Sequence, residues 1–442
     1  MRIAFVAMSG IRVVDMDLVR LGLTLPGFVE RAKTIASLPS LGLLTLAGMT
    51  PRRHEVRYFE VEDLAAADRL PDDFDLVAIS SFSAQVEEGY ALARRLREKG
   101  VPVVMGGLHV TVLPEEAVAA GASAVVGEGE PAWPEVLADA ERGALRPIYD
   151  ARGRPFDLAS SPMPRYDLLE VGRYNRLTVQ ASRGCPWRCS FCASSILLTP
   201  RYKQKPVERV LAEIDRVREI WPRPFLEFAD DNAFVNRAYW RALLPGLEKR
   251  DLRWFAETDL SVHEDREFLR ALRRSGCRQV LLGLESPVAA GLDGVEMRRN
   301  WKWEKRERYR DAVRAIQAEG IRATACFVLG LDGQGPAVFE EVYRFAEEAA
   351  PFDVQITYPT PFPGTPMYRK WRSEGRLTHD GAWERCTLFD ISFEPRGMTA
   401  AELRAGFHDL TARLYADDFT AWRREKARRM RRRARLQPAG TS

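Results

Sequence analysis

Short runs of β-branched and apolar residues alternate with helical stretches twice along this chain, and that alternation restricts the fold more than any other feature. In the first round, strands are predicted over 2–6, 55–59, 75–80, 101–105 and 124–126, with apolar residues at helical spacing over 38–49 and 86–99. This pattern predicts an α/β unit with a doubly wound, Rossmann-like parallel sheet, which binds ligands outside the carboxyl ends of its strands. In the second round, strands are predicted over 178–181, 225–228, 253–255, 279–282, 324–329 and 353–357. Six βα units in succession predict a partial (β/α)6 barrel with its chemistry on the loops that follow the strands. Between the rounds, Pro147, Pro155, Pro162 and Pro164 interrupt any periodicity and mark a linker. The expected division is a first unit over 1–145, a linker over 146–176, a barrel over 177–390 and a helical C-terminal region over 391–442.

The predicted strand ends of the first unit are small and polar: Ser80-Ser81, Gly106-Gly107 followed by His109, and Gly127-Glu128. Such residues let a large flat ligand approach the backbone, although tight turns alone use the same glycines. No Gly-x-Gly-x-x-Gly follows the first strand, which disfavours a dinucleotide.

With 442 residues, 46% hydrophobic and 29% charged, the chain reads as two or three folded domains. No apolar run of about eighteen residues and no signal-peptide pattern are visible, so no transmembrane segment and a cytoplasmic location are expected. The net charge of +4 is local in origin, because 423–435 holds nine Lys or Arg against the single acid Glu425. Few aromatics interleave with these charges, so a solvated helix end is the expected role and no nucleic-acid partner is predicted. Of the six cysteines, Cys277, Cys326 and Cys386 are scattered among apolar residues, as small buried hydrophobes are.

The other three stand together in Ala181-Ser-Arg-Gly-Cys185-Pro-Trp-Arg-Cys189-Ser-Phe-Cys192, where the first barrel strand gives way to its loop. Three thiolates at this spacing can close around one compact inorganic core, and soft sulfur favours iron–sulfur or zinc. Zinc normally takes four ligands, and no second Cys pair exists here. The five histidines, at 54, 109, 263, 379 and 408, all lie far from the cluster in sequence. A four-iron cluster held by three cysteines leaves one iron open to a small molecule, and this is the favoured reading.

Cys185-x3-Cys189-x2-Cys192, with Phe191 before the last cysteine, resembles the signature of the radical S-adenosylmethionine (SAM) superfamily. The resemblance implies a [4Fe–4S] cluster whose open iron chelates SAM, and cleavage of SAM to methionine and a 5′-deoxyadenosyl radical. Residues 75–134 are similar to the cobalamin-binding domain of the B12-dependent radical SAM group, which includes the magnesium-protoporphyrin cyclase type and the hopanoid methylases. Phe228-Ala-Asp-Asp-Asn232, Gly283-Leu-Glu-Ser286, Phe327-Val-Leu-Gly-Leu-Asp332 and Thr360-Pro-Phe-Pro-Gly-Thr365 resemble that group's later strand-end motifs.

Carried over by position, the resemblance places Asp231 and Asn232 near the methionine end of SAM, Glu285 near its ribose or amino group, and Gly330 against adenine. Caps or turns are the alternative roles for Asp231 and Glu285. Ser80, Ser81, Gly106, Gly107, His109, Gly127 and Glu128 are the implied cobalamin contacts, with an ordinary turn histidine the alternative for His109. No histidine sits in an Asp-x-His-x-x-Gly context, so ligation of cobalt through that motif is not expected. Trp254, Tyr358 and Phe362 serve either an apolar pocket or the core. The implied activity is C-methylation of an unactivated carbon in a small-molecule or lipid-like substrate, driven by an external electron donor such as flavodoxin or ferredoxin. Oxidative cyclisation or rearrangement without methyl transfer, and a corrinoid or cluster sensor without turnover, stay open as alternatives.

Overall fold

The structure, a computed structural model, describes residues 1–21, 38–67, 70–154, 156–199 and 201–436. Pro155 of the expected linker lies outside the described residues.

The first sheet contains β1 (Arg2–Met8), β2 (Glu55–Val61), β3 (Leu76–Ser81), β4 (Val103–Gly106), β5 (Ser123–Val126) and β6 (Ile148–Asp150). Its strands run parallel in the order β2-β1-β3-β4-β5-β6. Ile3 to Met8 are all buried because helices cover both faces, with Val86–Glu98 on one side and Leu41–Met49 and Trp133–Glu141 on the other. The sheet grows from β1 in both directions, so the crevice outside the carboxyl ends near β1 and β3 is its natural ligand site. The sixth strand falls in the segment expected to be linker. Ile148-Tyr149-Asp150 joins the sheet edge because Tyr149 buries its ring and donates its hydroxyl to Asp139 at 2.9 Å, a partner that no local pattern reveals.

The second unit contains β7 (Leu177–Val179), β8 (Ser182–Arg183), β9 (Lys203–Gln204), β10 (Phe225–Phe228), β11 (Arg253–Thr258), β12 (Cys277–Glu285), β13 (Arg322–Val328) and β14 (Asp353–Thr357). Six of these form a parallel sheet in sequential order from β7 to β14, while β8 and β9 make a short antiparallel pair. This is the open (β/α)6 arrangement expected from the alternation.

Alternate residues along these strands point to opposite faces. One set, including Leu226, Phe228, Trp254, Ala256, Val280, Leu282, Ala323, Ala325, Val354 and Ile356, packs into the main core. Trp254 stacks on Trp240 at 5.7 Å and Tyr358 lies 4.1 Å from Phe407, so both serve the core. The other set is polar: Gln279 donates to Thr324 at 2.8 Å, Arg176 pairs with Glu227, and Cys326 faces Gln355 at 3.8 Å. A polar lumen in an otherwise apolar unit is a place for a polar ligand.

Two helices complete the chain, Ala400–Leu414, which opens with a reciprocal Thr399–Glu402 capping box, and Asp417–Leu436. The second is more than a solvated end, because Arg423 is fully buried and donates to the carbonyls of Leu414 at 2.9 Å and Pro351 at 3.3 Å. Among the described residues no helix is long and apolar enough to cross a membrane.

Candidate active site

The cysteine loop is pinned by carboxylates delivered from three neighbouring strand ends. After β10, Asp230 accepts from the Ala181 N–H at 2.8 Å and the Ser182 hydroxyl at 2.6 Å, and Asp231 accepts from the Gly184 N–H at 2.7 Å and from Ser194. Burial pushes the Asp230 carboxyl up to about 7, against the pull of the Ser182 and Ala181 donors. Gly184 has no substitute, since its φ is +82° and a Cβ would meet carbonyl oxygens of Thr199 and Arg201 at 2.8 and 2.9 Å. After β11, Asp259 accepts from the Trp187 indole at 2.9 Å and from Asn232 at 2.8 Å, and the Asn232 amide also lies 3.8 Å from Cys185 Sγ.

The third clamp, after β12, is Glu296, which the sequence motifs do not mark. Its buried carboxylate accepts from the backbone N–H groups of Arg188, Arg298, Arg299 and Asn300 at 3.1, 3.2, 2.8 and 3.1 Å. Backbone bonds from Ser190 to Val295 at 2.8 Å and from Met297 to Arg188 at 3.0 Å tie the same two loops together. Only the long-range pairing to the cysteine loop gives Glu296 this role.

Burial, with neighbouring thiols adding, pushes Cys185 up to about 11 and Cys189 up to about 12. Thiols so placed ionise fully only against a cation, which iron supplies. The three thiols lie close enough to feel one another's charge.

Deeper in the lumen, β12 bulges between Gly283 and Glu285, and Glu285 takes a left-handed φ of +63°. Its carboxylate pairs with Lys302, whose ammonium also donates to the Gly283 carbonyl at 2.9 Å. Both side chains are buried, and although burial disfavours the ammonium, Glu285 and the nearby Cys189 hold the Lys302 pKa above its ordinary value. Glu257 is walled by protein yet open to the lumen, where burial and then Glu227 push it up to about 7.

A cavity of about 360 Å³ joins the two units. Its walls include Ser80, Gly106, Gly107, Gly127 and Glu128 from the first sheet and Gln180, Arg183, Ser194 and Asp231 from the barrel mouth, together with the apolar Leu43, Leu46, Ala78, Val104 and Val125. Arg183 bridges the units, reaching Glu128 at 3.0 Å and Glu130 at 2.5 Å, while Lys203 meets Glu128 at 2.5 Å. Glycines beside apolar walls in one cavity suit a broad planar ligand.

Three expected contacts are not brought to these spaces. Ser81 turns its hydroxyl to the Phe82 carbonyl at 2.9 Å and does not line the cavity. His109 is buried with Nδ1 3.1 Å from Ser83 and Nε2 3.1 Å from Glu116, its ring against Trp383 at 5.0 Å, so both nitrogens are engaged away from the cavity. Gly330 has φ +106°, and a Cβ there would strike Leu403 at 2.8 Å and Phe393 at 3.0 Å, so its backbone approaches the C-terminal region.

Residues 179–346 match the family model described as the radical SAM superfamily, and residues 31–137 match the B12 binding domain. The chain belongs to the radical SAM superfamily and carries a B12-binding domain. Among relatives of this radical SAM protein, the bacteriochlorophyllide d C-12(1)-methyltransferase of Chlorobaculum tepidum is 27% identical over 86% of this chain and 83% of that one. The hopanoid C-2 methylase of Rhodopseudomonas palustris is 29% identical over 78% of this chain and 66% of that one. In fold, it matches the radical SAM methyltransferase TsrM from Kitasatospora setae, solved with tryptophan and a SAM analogue, at a TM-score of 0.65, with 16% identity and 99% of each chain covered. The cofactors of such an enzyme are a [4Fe–4S] cluster, SAM and cobalamin.

Proposed function

We propose that this radical SAM enzyme is a cobalamin-dependent C-methyltransferase acting on an unactivated carbon of a small molecule. The observation that carries the reading is the shared cavity: the glycine-rich strand ends of the first sheet and Asp231, which clamps the cysteine loop, line one space. The bound cofactors supply reductive SAM cleavage to a carbon radical and a transferable methyl group. The chain's part is to hold three partners in line and keep water out. In this reading Cys185, Cys189 and Cys192 hold the cluster, and Asp231 and Asn232 fix the loop that carries it. Glu285 accepts hydrogen bonds from the ribose or ammonium of SAM, and Lys302 holds it in place. Ser80, Gly106, Gly107, Gly127 and Glu128 contact cobalamin, in a unit extended from 1–145 through β6. Barrel and helical regions then span 177–390 and 391–442. His109 is a packing residue.

Anaerobic reconstitution with SAM, cobalamin and reductant tests this. With a substrate, the product gains the mass of one methylene unit. A product of unchanged carbon count sinks methyl transfer in favour of cyclisation, and failure to form 5′-deoxyadenosine with any candidate substrate favours a sensor.

The required electron is delivered by an acidic carrier protein such as flavodoxin or ferredoxin. Beside the cysteine loop, Arg188, Arg298 and Arg299 make no ion pair among the described residues, while Met297 and Trp303 are exposed at 44% and 50%. Charge reversal at Arg298 and Arg299 is expected to lower flavodoxin-driven turnover roughly tenfold at low salt and to leave dithionite-driven turnover unchanged. An equal loss with both reductants rules this surface out. Free thiols and an iron–sulfur cluster suit the reducing cytoplasm, which cell fractionation checks.

A further inference from the structure

The barrel lumen holds a carboxylate that neither the cysteine loop nor Glu285 uses. Glu257 stands on β11, between β10 and β12, and faces the lumen, because its neighbours Ala256 and Thr258 point the other way and are buried. The core side of this sheet is packed shut, so the exposure of Glu257 comes from the concave side. Glu227, Cys326 and Gln355 on the lumen side are likewise only half-buried, whereas Phe228, Ala325 and Ile356 beside them are sealed in the core. At this level the lumen is open space lined by polar groups.

Among the described residues Glu257 makes no hydrogen bond and no ion pair. The charged groups that act on it are Glu227, Asp231 and Arg176, and two of these carry its own sign. Arg176 has the opposite sign but is committed elsewhere, paired with Glu227 and donating to Asn175 at 2.9 Å. Lys302, higher in the lumen, is committed to Glu285 and to the Gly283 carbonyl. Cys326 lies near enough to feel Glu257, and burial and then that carboxylate push its thiol up, so it brings no compensating charge. Burial, then Glu227 and Asp231, raise the Glu257 carboxyl to about 7, which makes it costly to keep. Packing does not require an acid here, since β12 carries Leu281 at the paired position.

A carboxylate held without a partner in a protein-walled space is complete only when a ligand brings a cation. Glu257 lies two residues before Asp259, which holds Trp187 of the cysteine loop, and this is about 7 Å along the strand. A small molecule spans that distance, with one end at Glu257 and its reacting carbon at the barrel mouth. Resting on the methyl-transfer reading above, we propose that Glu257 anchors the substrate by a protonated nitrogen, so that the enzyme acts on a cationic amine.

Two measurements test this without turnover. Glu257→Gln is expected to raise the unfolding temperature of the full chain, because it removes a charge that the fold does not use. The gain should grow as pH rises from the ordinary glutamate range to about 7 and then level off, since across that window the unfolded chain has lost a proton that the folded chain still holds. In calorimetric titration of enzyme loaded with cluster and SAM, n-butylammonium should bind saturably and n-butanol should not. Glu257→Gln should weaken the amine by about tenfold or more and leave SAM affinity unchanged. Lower stability in Glu257→Gln overturns the proposal, because the carboxylate then has a structural duty. Absence of saturable amine binding, equal binding of butanol, or undiminished amine binding in the variant overturns it too. A loss of SAM affinity as large as the loss for the amine does the same by giving Glu257 to SAM. Intact amine selectivity alongside a product without added carbon removes the methyl-transfer reading and supports the cation site.

Discussion

Alanine at Cys189 is expected to leave anaerobically prepared protein without the iron, sulfide and visible absorption of a [4Fe–4S] cluster, and to drop 5′-deoxyadenosine formation to the detection floor. Cys189 is 9% exposed and its backbone forms a bridge with Glu296, so nothing mobile stands ready to replace its sulfur. A cubane already short of one protein ligand by design cannot lose a second and keep its open corner defined. Cys185→Ala and Cys192→Ala should behave alike. Alanine at Cys277, fully buried at the start of β12, should leave the iron content unchanged and lower stability only by the small amount that a lost sulfur contact carries. Glu296→Gln falls between these cases: it keeps an oxygen but loses the charge that four N–H donors share, and a loss of about 10–100-fold in cluster retention is expected, as for other outer-shell partners. Zinc in place of iron, or full turnover with all three cysteines replaced, would refute the assignment.

The cluster, the two sheets and most of the strands are legible in sequence because each is a local pattern: a thiol spacing, a β-branched run, a glycine at a strand end. What sequence reading misses depends on pairing across long separations. No motif marks the stretch Met297-Arg-Arg-Asn-Trp-Lys-Trp-Glu304, yet Glu296 just before it reaches back to the cysteine loop and Lys302 within it is buried against Glu285. His109 follows two glycines at a strand end, which suggests a ligand contact. The helical turn Leu108–Val112 instead carries its ring to the other side, toward Glu116 and Trp383. Gly330 illustrates the reverse ambiguity, since the same residue type serves ligand approach and close packing, and only its neighbours Leu403 and Phe393 decide between them. The basic tail reads as a solvated helix end, yet Arg423 on its inner face is buried against the carbonyls of Leu414 and Pro351.

Lys302→Met is expected to destabilise the fold by about 3–5 kcal/mol, measured by denaturant unfolding, because it strands the buried Glu285 carboxylate without its partner. Glu285→Gln, which leaves the ammonium unpaired, should fall in the same range for the same reason. Combining Glu285→Gln with Lys302→Met removes both charges together, and the double variant is expected to recover most of the lost stability, since neutral replacement of a buried pair is often nearly free of penalty. The backbone strain at Glu285, with φ +63°, is present in every variant and cancels from the comparison. Function separates what stability cannot: if Glu285 serves only its lysine, the double variant regains SAM binding along with its fold. If the carboxylate also accepts from the SAM ammonium or ribose, SAM affinity stays depressed in the refolded double variant, because a neutral amide cannot match a carboxylate against a cationic donor. That second outcome is expected, since Gly283 leaves room for no side chain between Glu285 and Lys302, and so lays both at the inner face of the lumen beside Cys189.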